Sequence, residues 1–594
     1  MSISSAIKRV KYPYNDIKGI VMKKLITMSL IVVVFGGGIL FKSKFFGHDK
    51  TPMSLAINNP IKSFDPAVVF NDDALFVMAQ SLESLYQYHY LKRPFEVIPS
   101  LADGMPEISP DGLVYTIKVK KGIKYHNRYK FLAKNRTVTV DDFIWQIKRL
   151  AFEPLKSTGA WLFAGNLKGF NEFRTSVGSN LDKFYSEDLT GLEKIDDLTM
   201  KVRLKKPDPN LLYFLSMHFT APVPLEIIKS FNNDLKNIMI GTGPYEYVGF
   251  EENKYNFKKF QGFHEEYYPS TGDRYANTEK LLNSSKERLP FIEELEFRVV
   301  TGEDNRWDEF IAGNIDILDV PKKQLIKLSD PTSETNSKFK DDGIIVKHFS
   351  RQTTRWIGFN MNDPVIGKNL NLRRAIAHII NHDKYIELLT NNTNLKSNSI
   401  FNPSIQGYLP EHRLPYSFNI LKAKEYLKKS GYKPGELTLT YSTRGKQAVH
   451  HEEANFLKEQ LSIIGIDLNI NVIEFTDFLK LGRSGKLQFW TDNWIYDYPD
   501  GENLLQLLIS KNHPGINKSG YSNSKVDLLY EKLTKTLNKN DRFKIMYEIE
   551  DIVEKDLPWV MLMYESTYII QQKNIKNFRK SFFIRNFIKY LQKT

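Results

Sequence analysis

The sequence predicts an α/β fold, and three observations carry that prediction. Strand-like alternation and helix-like spacing follow one another from about residue 51 to the C-terminus, with no visible internal repeat and no long low-complexity tract. A helical run that stops at Gly465 is followed at once by Ile466, Leu468, Ile470 and Val472 alternating with Asp467, Asn469 and Asn471, a helix–glycine–strand unit. The chain has 594 residues and no cysteine, so it is long enough to be held by apolar burial and has no disulfides to help. On length, the part beyond residue 50 corresponds to roughly three or four folding units.

The elements are justified in chain order. Residues 25–41 read LITMSLIVVVFGGGILF, an uncharged apolar run of 17 residues preceded by Lys23 and Lys24. Its length falls between a signal-peptide core of ~7–15 residues and a spanning helix of ~17–25. Six basic residues precede it (Lys8, Arg9, Lys11, Lys18, Lys23, Lys24) and three follow (Lys42, Lys44, Lys50), which places the N-terminus inside and the body outside. Residues 1–50 therefore read as a signal or membrane anchor, cleaved or, with poor small-residue cleavage positions, uncleaved. Met22-Lys23-Lys24 is an alternative start to Met1. Leu113, Tyr115, Ile117 and Val119 alternate as a half-buried strand does. Thr139 to Asp142 resembles a capping box opening a helix through Leu150. Leu372, Ala375, Ile376, Ile379 and Ile380 follow helical spacing, as do Ala454, Leu457, Leu461 and Ile464. Residues 261–290 and 329–343 are polar and turn-forming and read as surface loops, where a functional insertion could hide. Tyr86, Tyr88 and Tyr90 share one face of a strand, serving either a rim or a core.

Composition excludes several classes. Without cysteine there is no zinc–thiolate site and no thiol nucleophile. Net charge is +14, but lysines are scattered among Asp and Glu with no basic tract interleaved with aromatics, so no nucleic acid is expected as partner. His450-His451-Glu452-Glu453 fails as a zinc motif because Asn455 stands where the second histidine of H-E-x-x-H must fall, and it reads as exposed polar residues at a helix start. Gly241-Thr242-Gly243 begins like a dinucleotide loop, but Pro244 removes a donor and Glu246 would repel a pyrophosphate. Gly241 and Gly243 read instead as a tight turn. No catalytic constellation emerges, so no enzyme, no metal and no cofactor is expected. A hydrolase using two distant carboxylates remains a distant rival.

A set of short motifs then acquires a family pattern. Phe64-Asp65-Pro66, Pro99 to Ala102, Ser109 to Tyr115, Lys121 to His126, Val138 to Phe143, Gly241 to Tyr245, Ala312 to Ile317, Phe359-Asn360 with Leu372 to Ile376, and Trp494 to Asp500 occur in one order. In that order the chain resembles the solute-binding proteins of peptide ABC transporters, the large oligopeptide/dipeptide-binding type of extracellular solute-binding protein family 5, from about Ile57 to Ile570. The resemblance implies a two-lobed, type II periplasmic-binding-protein-like α/β fold, mixed sheets with flanking helices, and an extra subdomain in lobe one near 65–200. By that analogy lobe one is 51–299 plus a return at 567–594, and lobe two is 300–566. It also implies a monomeric peptide receptor that delivers its ligand to ABC permease membrane subunits, in the periplasm or on the outer face of the cytoplasmic membrane. The alternatives are the same fold with a metal chelate, an oligosaccharide or haem as cargo, and a sensory or scaffold domain without transport.

A carrier of many peptides must recognise what peptides share, namely backbone groups and terminal charges. Asp497 lies among Trp490, Trp494, Tyr496 and Tyr498, where aromatic walls would keep water away from a carboxylate. From the residues alone it either holds a cation or pairs internally; in the family it resembles, the matched aspartate receives the ligand's α-amino group. Trp494, Tyr496 and Tyr498 are the accompanying ligand-binding candidates. Arg444, with Arg351 and Arg355 as weaker choices, is the candidate for a C-terminal carboxylate. Asp500 reads as the N-cap of a helix through Leu508.

Overall fold

The structure is a computed structural model that describes residues 51–129, 132–133, 135–329 and 332–594. The apolar segment 25–41 and the whole anchor reading of residues 1–50 lie outside the described residues. Among the described residues no helix is long and apolar enough to cross a membrane.

The main sheet has eleven strands and is mixed. At one end, Leu437–Ser442 runs parallel to Ile466–Asn471 and to Phe489–Ile495. At the other end, Met53–Ile57 runs parallel to Glu294–Val299, which pairs antiparallel with Lys254–Lys259. Two long antiparallel strands, Ile345–Phe359 and Trp559–Gln571, join the ends. Their pairing runs from Ile345↔Gln571 to Ser350↔Ser566, breaks register, resumes at Thr354↔Tyr564, and shifts again between Arg355 and Trp356 before ending at Gly358↔Trp559. A separate four-stranded antiparallel sheet contains Glu107–Ile108, Val114–Lys118, Thr199–Arg203 and Leu192–Lys194.

The apolar cores separate in the same way, which makes the α/β architecture two-lobed. One core gathers Met53, Leu55, Tyr245, Phe257 and Phe297 with the C-terminal Phe578, Phe587 and Leu591. A neighbouring core holds the subdomain around Tyr115, Phe143, Phe163 and Val202. The other lobe is built on Phe359, Ile376, Leu439, Leu457 and Leu468, with a second cluster on Leu504, Leu508, Ile549 and Trp559. A small cluster of Trp307, Phe310, Ile315 and Phe339 leans on Ile570.

Local signals explain the elements. The helix Val140–Ala151 opens on the reciprocal Thr139/Asp142 capping box. Helices Leu370–Ile379 and Ala448–Ser462 bury the faces their spacing foretold. Gly465 adopts φ +75° before the strand Ile466–Asn471, a conformation that glycine enters without a Cβ penalty.

Three expectations are corrected. Residues 329–343 are not simply a loop: Glu334–Asp342 is helical, Ser333 accepts from the Asn336 amide, and Gly343 ends it at φ +71°. Its single apolar anchor, Phe339, packs 5.7 Å from Trp307, too sparse a pattern to read as a period. Residues 261–290 are woven into lobe one, with Phe263, Tyr268, Ala276, Leu281 and Leu289 buried and Asp273 paired to Arg579 at 2.6 Å. Gly241 and Gly243 serve close approach, not a tight turn: a Cβ on Gly241 would stand 1.9 Å from the Ser81 carbonyl oxygen.

Candidate functional site

A cavity of about 1020 Å³ opens between the two lobes. The strand Phe489–Ile495 delivers one wall. It pairs with Ile345–Phe359 up to Thr353↔Ile495, and the Tyr496 amide donates to the Gln352 carbonyl at 3.0 Å. The chain then turns, so that Trp494, Tyr496 and Asp497 reach the cavity, with Arg444 and Gln352 beside them. The facing wall comes from the strand Tyr86–Tyr88, the segment around Trp161, residues 216–219 and the C-terminal return at 582–586. Aromatic rings (Phe70, Tyr86, Tyr88, Trp161, Phe219, Phe582 and Phe583) dominate the facing wall, where Trp161 and Phe70 keep 42% and 60% of their surface exposed.

Asn503 fixes the geometry of Asp497. It is fully buried, and its Oδ1 accepts from Trp494 Nε1 at 2.8 Å and from the Asp497 amide at 3.0 Å. Its Nδ2 donates to Asp497 Oδ2 at 3.2 Å. Burial raises the Asp497 carboxyl above its ordinary value, and the Asn503 hydrogen bond only partly opposes this.

Among the described residues three carboxylates line the cavity, and their partners differ. Asp72 pairs with Arg585 at 2.8 Å. Glu83 pairs with His264 at 3.0 Å and accepts from Thr242 Oγ1 at 2.9 Å. Burial alone would raise the Glu83 carboxyl, but His264 and Lys589 outweigh it and hold it below the usual range. Asp497 has no lysine, arginine or histidine partner among the described residues. On the same wall Asp492 is contacted by two cations, Lys518 at 2.5 Å and Arg444 at 3.4 Å, which leaves a surplus of positive charge beside the cavity.

The candidates thus fall into different places. Asp497, Trp494, Tyr496 and Arg444 line the cavity, although Tyr496 is itself only 2% exposed and packs with its ring in the core. Tyr498 does not line it. Its ring crosses to the other lobe and stacks on Tyr213 at 5.8 Å, and its hydroxyl donates to Glu502. Beside it Asn210 Nδ2 donates to Glu502 Oε2 at 3.1 Å, so the lobes touch along this edge. Trp490 does not line the cavity and is buried against Phe478 and Leu487. Arg355 is consumed by Glu453 at 2.8 Å, and Arg351 lies 3.7 Å from Asp319. Asp500 accepts from the Glu502 amide at 2.9 Å, at the start of a helix that ends at Leu505, and pairs with Arg542 at 2.7 Å.

The reading of 450–453 as exposed polar residues needs the same correction. Glu453 is fully buried and takes hydrogen bonds from Arg355, Tyr385, Tyr441 and Thr491. Asn503, Glu83 and Trp161 were not found from the sequence. Asn503 stands six residues after Asp497, a spacing that carries no periodic signal, and the exposure of Trp161 exists only once the lobes are folded.

Residues 96–515 match the model of bacterial extracellular solute-binding proteins, family 5 Middle. Over 534 residues the chain is 24% identical to heme-binding protein A of Haemophilus influenzae, covering 87% of this chain and 88% of that one. It is 21% identical to oligopeptide-binding protein OppA of Bacillus subtilis, over 93% of this chain and 94% of that one. The fold matches the ABC transporter-associated periplasmic binding protein DppA of Helicobacter pylori, solved in complex with peptide STSA, with a TM-score of 0.64 and 23% identity over 91% of this chain and 98% of that one.

Proposed function

The chain belongs to the bacterial extracellular solute-binding proteins, family 5, and on that ground we propose that it captures peptides outside the cytoplasm and passes them to an ABC permease, doing no chemistry itself. The observation that carries the peptide reading is the lone carboxylate. Of the three that line the cavity, Asp497 is the one without a cationic partner among the described residues. A ligand ammonium supplies that partner in a half-dry site, where a charge-assisted hydrogen bond contributes about 1.5–3 kcal/mol. Trp494 adds an apolar wall, and the Arg444/Lys518 surplus beside Asp492 suits the peptide's terminal carboxylate.

Haem is the second reading, favoured by the aromatic walls and by the name of one relative. Its propionates suit Arg444, but it carries no ammonium group to donate hydrogen bonds to Asp497, so the peptide reading stands first. The proposed lobes are 51–299 with 567–594, and 300–566. The register break between Ser350 and Thr354 gives the long strand pair a place to bend. Residues 25–41 would hold a monomeric receptor at the outer face of the membrane or serve as its export signal.

Calorimetry with a free-amine peptide, its N-acetylated counterpart and the Asp497→Asn variant tests the reading. The expected result is a loss of roughly 10- to 150-fold in affinity for the free peptide in the variant, matching the value of one charged hydrogen bond. Acetylation should cost the wild type about as much and the variant little. Equal binding of free and acetylated peptides by the wild type would refute it.

A further inference from the structure

Away from the cavity, three potential metal ligands converge in the second lobe. Glu550 and Glu554 stand one turn apart on the 18-residue helix Lys539–Asp556, so their carboxylates share a face. His412 comes from the segment that follows the Leu395–Lys396 strand. His412 Nε2 lies 2.8 Å from Glu554 Oε1 and 3.7 Å from Glu550 Oε1, and the potential ligand atoms of all three fall within 4.8 Å of one another.

The surroundings hold these groups in place. Asn398 Nδ2 donates to the carbonyls of Leu409, Pro410 and His412 at 3.4, 3.0 and 3.1 Å, which braces the turn that carries the histidine. Tyr408 and Tyr564 hydroxyls donate to Asn398 Oδ1 in turn. Ser399 Oγ and the Ile400 amide donate to Glu550 Oε1 at 2.5 and 3.1 Å. Such second-layer hydrogen bonds orient metal ligands.

Charge is unbalanced here. The largest charge effects on the three groups come from one another and from Asp551, so one imidazole faces three carboxylates. His412 retains 18% side-chain exposure, which leaves a path for an ion to enter.

We infer that His412, Glu550 and Glu554 form a binding site for a divalent transition-metal ion of the zinc class. Tetrahedral zinc with bonds of about 2.0–2.2 Å to nitrogen and oxygen sets its ligand atoms roughly 3.3–3.5 Å apart. The observed 2.8 and 3.7 Å separations bracket that spacing. An imidazole with two carboxylates selects zinc over magnesium or calcium, which prefer oxygen-only shells, and leaves the fourth position to water. A bound ion fastens the segment 398–414 to the long helix. That segment also carries Gln406, whose Nε2 donates to the Phe95 carbonyl of the other lobe at 2.6 Å.

The test is zinc chloride titrated into the untagged, chelator-treated full chain by calorimetry in two buffers of different ionisation enthalpy. One ion per chain, with micromolar or tighter affinity, proton release to the buffer and no response to magnesium, is the expected result. His412→Ala and the near-isosteric Glu554→Gln should each weaken zinc at least tenfold, with melting in chelator confirming that they fold. X-ray absorption at the zinc edge of the loaded wild type should show imidazole scattering, a readout that does not depend on any variant. No stoichiometric zinc binding, equal binding of magnesium, affinities within twofold of wild type in both folded variants, or a zinc shell without imidazole would each overturn the site.

Discussion

Asn503→Ala is the most telling perturbation of the cavity, because one buried amide holds both the carboxylate and the tryptophan beside it. The substitution removes two neutral hydrogen bonds, from Trp494 Nε1 and the Asp497 amide, and one to the Asp497 carboxylate at 3.2 Å. The donors left behind are only half-buried and can reach water, so the stability cost is about 2–3 kcal/mol and the protein stays folded. The effect on binding is separate. Trp494 and Asp497 are set free before the ligand arrives, and re-fixing a loosened side chain costs about 0.5–1.5 kcal/mol. For two side chains the affinity for a free-amine peptide should fall roughly 5- to 150-fold. The pH profile should move as well. On the proposed pairing of a ligand ammonium with the ionised carboxylate, affinity declines as pH falls through the pKa of Asp497 in the empty protein. Burial has already raised that pKa, and the Asn503 hydrogen bond is what opposes the rise. Its loss therefore shifts the decline to higher pH. Calorimetry between pH 4 and 8, with melting curves as the control for folding, reads both effects. An affinity within twofold of wild type together with an unmoved pH profile would sink the account of Asn503 as the residue that positions Asp497.

Two further outcomes follow from buried contacts outside the cavity. Glu453→Gln strips the charge from a fully buried group facing Arg355 and should destabilise by about 3–5 kcal/mol in urea unfolding at pH 7. Burial alone would raise Glu453, but Arg355 outweighs it and the pKa ends below its ordinary value. The contribution is therefore complete above the unfolded glutamate pKa of about 4.3 and fades as pH falls through the lower folded value, so the gap between wild type and variant must close in acid. A gap that persists unchanged at pH 3 would contradict this. Gly241→Ala forces a Cβ to within 1.9 Å of the Ser81 carbonyl oxygen and should lower stability by about 2–3 kcal/mol, while Gly249→Ala, with nothing within 4 Å, should be close to neutral by the same melting assay.

What the sequence made legible was local. The alternation at 113–119, the capping box at Thr139 and the stop at Gly465 each act within a few residues, and each stands where it was expected. What it hid depends on distant partners. Glu453 seemed a solvated glutamate at a helix start because its counter-ion, Arg355, lies 98 residues away. The helix Glu334–Asp342 buries Phe339 alone, which gives no amphipathic period to detect. Tyr498 and Tyr496 look equivalent in a run of aromatics, yet one crosses to the opposite lobe and the other packs in its own. Asp497 stands out through its aromatic neighbours, which leave cation binding and internal pairing both open, and the family resemblance tips the choice. Its distinction, the missing cation, belongs to the assembled cavity, where Arg585 and His264 have already taken the other two carboxylates.

That distribution of charge bears on how such a receptor closes. An ionised carboxylate that is desolvated without a partner opposes the state that buries it, which is what a pKa raised by burial expresses. Closing the lobes on an empty cavity therefore works against Asp497, whereas Asp72 and Glu83 bring their cations with them and are indifferent. An ammonium group cancels the opposition at one point and so binds the closed arrangement better than the open one, the condition under which a ligand shifts a conformational equilibrium. Neutralising Asp497 by mutation removes the penalty without supplying the ligand. Asp497→Asn should accordingly populate the closed arrangement more in the absence of peptide, detectable as a smaller radius of gyration by solution scattering and a reduced contraction on adding peptide.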